Sequence, residues 1–151
     1  MHFDPLTVSV DLIDDKVRFA GALRANAPVT VDYTPPIGGG QGYTSLELFL
    51  YSLTTCLGTS VLLVLRKMQK TITGCHVQAH GIRREEHPTC FARIALELVL
   101  QSPDATESDV QHALRIAEDS LCPVWAMIKN NVEVSPSFQL ITPQPVDAQP
   151  V

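Results

Sequence analysis

Two of the four cysteines stand where their neighbours could turn a thiol to chemistry. Cys56 lies within "SLTTCLGTS", residues 52 to 60, a cluster of hydroxyls inside an otherwise apolar stretch. If that stretch is helical, Ser52, Thr59 and Ser60 share the side of Cys56 and give it polar surroundings where a core would be apolar. Cys122 immediately precedes Pro123 in "LCPVWAM". Proline fits best as the first residue of a helical turn, whose free N–H groups and dipole favour a thiolate and lower the thiol pKa. The opposing reading is simple packing, because a free cysteine is among the most buried residue types and behaves as a small hydrophobe. The residues alone leave both open.

Other constellations carry less. Cys75, His76, His80, His87 and Cys90 are zinc-ligand types, but they show no C-x-x-C spacing. Cys75 and His76 would also point to opposite faces of a strand, so no metal site is expected. The glycines of residues 38 to 42 match neither G-x-x-x-x-G-K-[ST] nor G-x-G-x-x-G and read as a turn. Glu47 stands where a first-turn carboxylate benefits from a helix dipole without any further role. Trp125 and Met127 read as packing.

The elements that must position the thiols follow from hydrophobic period and punctuation. "LTVSVDLI", "KVRFAGAL" and "PVTVDYT" read as three strands parted by "DD" and "NAP". "PPIGGGQGY", residues 35 to 43, is a loop. Thr44 or Ser45 caps a long helix to about Met68, apolar nearly all round and therefore expected to be buried on several sides. "TITGCHVQAHGIR" and "CFARIALELVL" alternate like half-buried strands joined by the polar "REEHPT". Thr106 and Asp109 form a capping box ahead of Val110, Ala113, Leu114, Ala117 and Leu121, one face of a second helix that restarts at Pro123. "VEVSPSFQLI" closes as a strand, and a loose tail is expected from about residue 142.

Length and composition place limits on function. The 151 residues suit a single domain spanning 1–151, with a core that needs no disulfide staples. A formal charge of -5 offers no basic stripe, so no nucleic-acid partner is expected. Leu48 to Leu65 is an uncharged 18-residue run, but its five serines and threonines argue against a membrane span. No secretory signal is visible at the N-terminus, so the expected location is cytoplasmic, where cysteines are more often reduced, metal-bound or catalytic than stapled.

"GGGQGYTSLELFLYSLTTC" resembles the segment of the OsmC and organic hydroperoxide resistance superfamily in which a Gly-rich loop enters the central helix bearing the reactive cysteine. "LCPVWAM" resembles that superfamily's second motif, and "HPTCFARIALELVL" suits one of its C-terminal strands; the likeness runs from about Thr30 to Leu140. The resemblance implies an α+β OsmC-like fold: N-terminal strands, a buried central helix, C-terminal strands with a second helix, and an intertwined homodimer with its sites at the subunit interface. It also implies a peroxidatic thiol at Cys56 and a resolving thiol at Cys122. Together they would reduce an organic hydroperoxide through a sulfenic acid and a Cys56–Cys122 disulfide, with a small or protein dithiol as reductant and no cofactor.

The superfamily's peroxidases carry a carboxylate ten residues before the reactive cysteine, where this chain has Leu46. Glu47, nine residues before Cys56, matches a branch with the later Glu and is the candidate third catalytic residue, although about 100° per residue turns it to the opposite side of an ideal helix. Neither Arg18 nor Arg24 aligns with the superfamily's arginine. Two alternatives therefore accompany the peroxidase reading: a catalytically weak binding or redox-sensing module, and a hydrolase with Cys56 as nucleophile.

Overall fold

The computed structural model describes residues 3–143 and forms two compact units that divide between Phe49 and Leu50. The tail expected from about residue 142 lies, from residue 144 on, outside the described residues. The element order has the α+β character expected, with N-terminal strands, a long central helix, and C-terminal strands interrupted by further helix.

In the first unit β1 (Asp11–Leu12), β2 (Phe19–Gly21) and β3 (Val29–Val31) form an antiparallel sheet in the order β1-β2-β3. The strands are far shorter than the alternation of "LTVSVDLI", "KVRFAGAL" and "PVTVDYT" predicts, and this is a correction. Alternation marks which residues can sit on one face of a sheet, but a ladder also needs a partner strand. β1 pairs with β2 over two positions only. Leu6 and Val8 precede that pairing and remain 95% and 75% exposed.

The Gly-rich loop is anchored by one buried carboxylate. Asp32, 2% exposed, accepts the backbone N–H groups of Tyr33 at 2.7 Å, Gly39 at 3.1 Å and Gln41 at 2.9 Å. A Cβ at Gly38 would collide with that carboxylate and with the Tyr33 carbonyl, and Gly40 has φ +69°, which favours glycine. Gln41 in turn accepts a hydrogen bond from the Arg18 guanidinium, which also pairs with Asp14 at 3.7 Å.

α1 (Ser45–Lys67) begins with a capping box: the Thr44 Oγ1 accepts the Glu47 N–H at 3.2 Å, and the Glu47 carboxylate accepts the Thr44 N–H at 2.7 Å. Its end is a Schellman-like turn, with Lys70 N–H donating to the Leu65 carbonyl at 2.9 Å and Gln69 at φ 61°. The helix is buried along one side only, through Leu53, Leu57, Gly58, Ser60, Val61, Val64 and Leu65. Tyr51 and Leu63 are 56% and 57% exposed, which corrects the expectation of burial on several sides.

In the second unit β4 (Gly74–Arg83) and β5 (Phe91–Gln101) pair antiparallel, and β6 (Glu133–Ile141) adds parallel to β5. The alternation of β5 is obeyed, with Ile94, Leu96, Leu98 and Leu100 buried. Pro136 sits inside β6, which an edge strand tolerates because one of its sides needs no donors. α1 approaches the sheet so closely at Gly58 that a Cβ there would lie 3.3 Å from the Val77 side chain.

The crossover from β5 to β6 is helical. α2 (Glu107–Ile116) has the Thr106–Asp109 capping box, then a π-helical turn (Ala117–Leu121) follows, then α3 (Pro123–Ile128). Lys70 links the end of α1 to the start of α2, its ammonium lying 3.1 Å from Asp109 Oδ2 and donating to the Asp104 carbonyl at 3.2 Å. The Asp104 carboxylate accepts the Thr71 N–H at 2.8 Å, the main reason its pKa lies below the ordinary value.

Three backbone donors also hold the Asp32 pKa below the ordinary value, Gln41 foremost. A depressed folded-state pKa gives stability above the unfolded carboxylate's pKa that is lost as pH falls through the folded one. Asp32→Asn is therefore expected to lower the urea midpoint of the first unit at pH 7, and the gap to the parent protein should close on acidification below about pH 4. Equal midpoints at pH 7 would show that the loop does not depend on the charge.

Candidate functional site

α1 and the kinked crossover bring the two predicted thiols together. The Cys122 Sγ–H donates to Cys56 Sγ at 2.9 Å, across 66 residues of sequence. Both cysteines are free thiols. Cys56 is half-buried and Cys122 is 2% exposed.

The π turn decides which residue meets Cys56. In a continuous α-helix the buried positions Val110, Ala113, Leu114 and Ala117 would be followed by Leu121, as the period predicts. Instead Cys122 N–H donates to the Ala117 carbonyl at 2.9 Å, five residues back. The wider turn takes in one extra residue, so Cys122 follows Ala117 on the buried side and Leu121 is left 43% exposed. The placement of Leu121 in the core face is thus corrected. Pro123 then opens α3, and the Cys122 carbonyl accepts the Ala126 N–H at 3.0 Å.

A groove of about 370 Å³ opens beside the pair, lined in part by Ser52, Thr55, Cys56 and Thr59 on one side and by Leu121 and Val124 on the other. Cys56 lines it and Cys122 does not. The hydroxyls predicted around Cys56 are there, with Thr55 in addition. Two of them are turned to the helix: Thr55 Oγ1 donates to the Tyr51 carbonyl at 2.7 Å, and Ser60 Oγ donates to the Cys56 carbonyl at 2.9 Å. Leu63 and Pro123 complete an uncharged lining.

Burial, above all, pushes the Cys122 thiol up to about 11, and the hydrogen bond with Cys56 adds to this. The Trp125 and Val124 N–H groups at the start of α3 do pull it down, but burial outweighs them. The expectation of a lowered Cys122 pKa is corrected: the helix terminus acts in the predicted direction, and desolvation wins. Cys122 therefore holds its proton at neutral pH and offers it to Cys56.

Glu47 belongs to the N-terminal cap of α1, its carboxylate engaged by the Thr44 N–H. Arg18 is engaged by Asp14 and Gln41 within the first unit. Among the described residues no group of three His, Cys, Asp or Glu side chains is arranged to hold a metal ion. Sequence reasoning missed Thr55, Leu63, Leu121 and Val124 as groove residues. Helical spacing carries a signal for Leu63, seven residues after Cys56, and for Thr55, three after Ser52 and four before Thr59, whereas Leu121 and Val124 depend on tertiary packing.

The fold and the two-thiol groove define the class: an α+β protein with a buried donor thiol facing a more accessible one. Residues 38–137 match the family model described as OsmC-like protein, and the chain belongs to that family. No curated protein matches the sequence. Among solved structures, a hypothetical protein from Aquifex aeolicus VF5 superposes with a TM-score of 0.81 at 22% identity, covering 94% of this chain and 100% of that one. An organic hydroperoxide resistance protein OsmC from Legionella pneumophila gives 0.67 at 12% identity, covering 91% and 99%. The organic hydroperoxide resistance protein OhrB of Bacillus subtilis gives 0.61 at 18% identity, covering 89% and 98%.

The raised Cys122 pKa fixes a pH dependence. The unfolded chain ionises this thiol from about pH 9 and the folded chain only near 11, so the folded state binds more protons between them and stability falls as pH rises. Urea unfolding under reductant should show a fall across that window that is shallower in Cys122→Ala. Parallel curves for the two proteins would contradict the buried, protonated thiol.

Proposed function

We propose that the protein is a thiol-dependent peroxidase that reduces organic hydroperoxides and works as a homodimer in a reducing cytoplasm. The observation that carries the reading is the 2.9 Å contact between a groove-lining Cys56 and a buried Cys122 that keeps its proton. Family membership and the names of the Legionella and Bacillus neighbours as organic hydroperoxide resistance proteins support it.

In this reading the Cys56 thiolate attacks the terminal oxygen of the hydroperoxide. The O–O bond breaks, the alkoxide takes up the proton that Cys56 gave up on ionising and leaves as the alcohol, and Cys56 becomes a sulfenic acid. The Cys122 sulfur then attacks the Cys56 sulfur, and the sulfenic hydroxyl leaves as water with the Cys122 proton. The disulfide needs little movement, given sulfurs already in contact. Leu63, Leu121 and Val124 offer apolar surface to an alkyl group.

One observation favours the second reading, a catalytically weak binding or redox-sensing module. The Glu47 carboxylate, the remaining candidate for a catalytic group, is committed to a helix cap that explains it without thiol chemistry. In the peroxidase reading Glu47 is a positioning residue for the start of α1, and the two sulfurs carry the chemistry.

The homodimer is supported by apolar surface that one chain leaves open. The first unit exposes Phe3, Leu6 and Val8 at 78%, 95% and 75%, and Leu6, Val8, Val10 and Leu12 recur at the period of a strand. Light scattering on a sizing column should return twice the mass of 16.5 kDa, and Leu6→Asp with Val8→Asp should shift the population toward monomer. A monomeric parent protein would end this part of the proposal.

The chemical test is peptide mass spectrometry of the reduced protein after one equivalent of cumene hydroperoxide, with hydrogen peroxide in parallel. A Cys56–Cys122 disulfide should form faster with the organic peroxide. Cys56→Ser should abolish turnover, and Cys122→Ser should stop at a dimedone-reactive sulfenic acid. Full activity in Cys56→Ser, or two thiols left reduced by the peroxide, would favour the second reading.

A further inference from the structure

The two sulfurs of this pair are not equivalent to an incoming molecule. Cys56 lines the groove, whereas Cys122 is 2% exposed and absent from the lining. Leu121, Pro123 and Val124, the chain neighbours of Cys122, all line that groove, so its sulfur lies behind the surface that its own segment presents. The π turn is the cause, since it rotates Leu121 outward and Cys122 inward. Thiol–disulfide exchange requires the attacking sulfur to reach one disulfide sulfur along the S–S axis; access and the acidity of the leaving thiol both act, and a sulfur that cannot be reached is not attacked however well its partner would leave.

We propose that reduction of the Cys56–Cys122 disulfide is regiospecific: the reductant enters the groove, attacks Cys56, and expels Cys122. This rests on the disulfide-forming reading of the site. In the first step a reductant thiolate bonds to Cys56 Sγ, the Cys56–Cys122 bond breaks, and the electron pair leaves on Cys122, which takes up a proton. In the second step another reductant thiol attacks the reductant's own sulfur in the mixed disulfide, releasing Cys56 and the oxidised reductant. Two reductant thiols are oxidised to one disulfide, and the protein regains two thiols. Cys122 thus serves as both resolving group and leaving group and forms no bond to the reductant. The burial that raises the Cys122 pKa makes it the slower leaving group, so the regiospecificity rests on access, and once expelled Cys122 takes up a proton readily.

The experiment starts from Cys75→Ser/Cys90→Ser, since those two exposed thiols would scramble the products. Diamide, rather than a hydroperoxide, closes the Cys56–Cys122 bridge, so the result does not depend on peroxidase activity. The disulfide is then treated briefly with 2-mercaptoethanol, quenched in acid with N-ethylmaleimide, and mapped by peptide mass spectrometry. The expected early product carries mercaptoethanol on Cys56 and maleimide on Cys122, exceeding the reverse pattern about tenfold or more. Equal or reversed labelling overturns the proposal, as does failure of diamide to close the bridge. A bridge that diamide closes and cumene hydroperoxide does not would instead count against the peroxidase reading alone.

Discussion

Burial of a single thiol is the constraint around which the second unit is arranged. Cys122 at 2% exposure is too desolvated to ionise at neutral pH, and its S–H is directed at Cys56. Holding that contact requires the phase of α1 to present Cys56 at its half-buried border, with Leu57 taking the core position beside it. It also requires the start of α2 to be fixed against the end of α1, which the Lys70 contacts with Asp104 and Asp109 do. Finally, the crossover must change phase by one residue, which the π turn does. The local costs lie close to the thiols: Gly58, two residues after Cys56, sits in a helix interior at a cost of about 1 kcal/mol relative to alanine, and wide helical turns are rare and, when they occur, frequent at functional sites. Gly58 is kept small by the sheet, because any side chain would press on Val77.

What was legible in the sequence is what local chemistry decides. The cap at Thr44, the Thr106–Asp109 capping box, the restart at Pro123, the β4–β5 hairpin and the hydroxyls beside Cys56 depend on residues a few positions apart, and the structure has them all. The pairing of Cys56 with Cys122 was legible only through the family likeness, since no spacing rule joins residues 66 apart. The π turn left no trace in "AEDSL": a helix that closes five residues back uses the same side chains as one that closes four back, and packing beyond the segment selects between them. The direction of the Cys122 pKa was lost for the same reason. A helix start is a sequence feature, whereas burial is a property of the fold.

The N-terminal segment shows the other limit. Alternation at Leu6, Val8, Val10 and Leu12 is real, yet within one chain it earns only the two-residue β1. The pattern describes a strand with one apolar face, of which Leu6 and Val8 are 95% and 75% exposed and Val10 and Leu12 about half covered.

The carboxylates and the groove together narrow the chemistry. Asp32 and Glu47 both spend their oxygens on backbone N–H groups of the loop and helix start that precede Cys56. The groove itself is lined by hydroxyls, apolar side chains and one thiol. Ester or amide hydrolysis through a cysteine needs a base to take the thiol proton and return it to the leaving group, usually an imidazole oriented by a third residue. Among the described residues no histidine lines this groove, which weighs against the hydrolase alternative. Two-electron attack on a weak O–O bond followed by disulfide closure asks for less: an accessible nucleophile, a second thiol in reach, and a proton for the sulfenic hydroxyl as it leaves. Cys56 meets the first requirement, and the buried Cys122 meets the other two with one side chain.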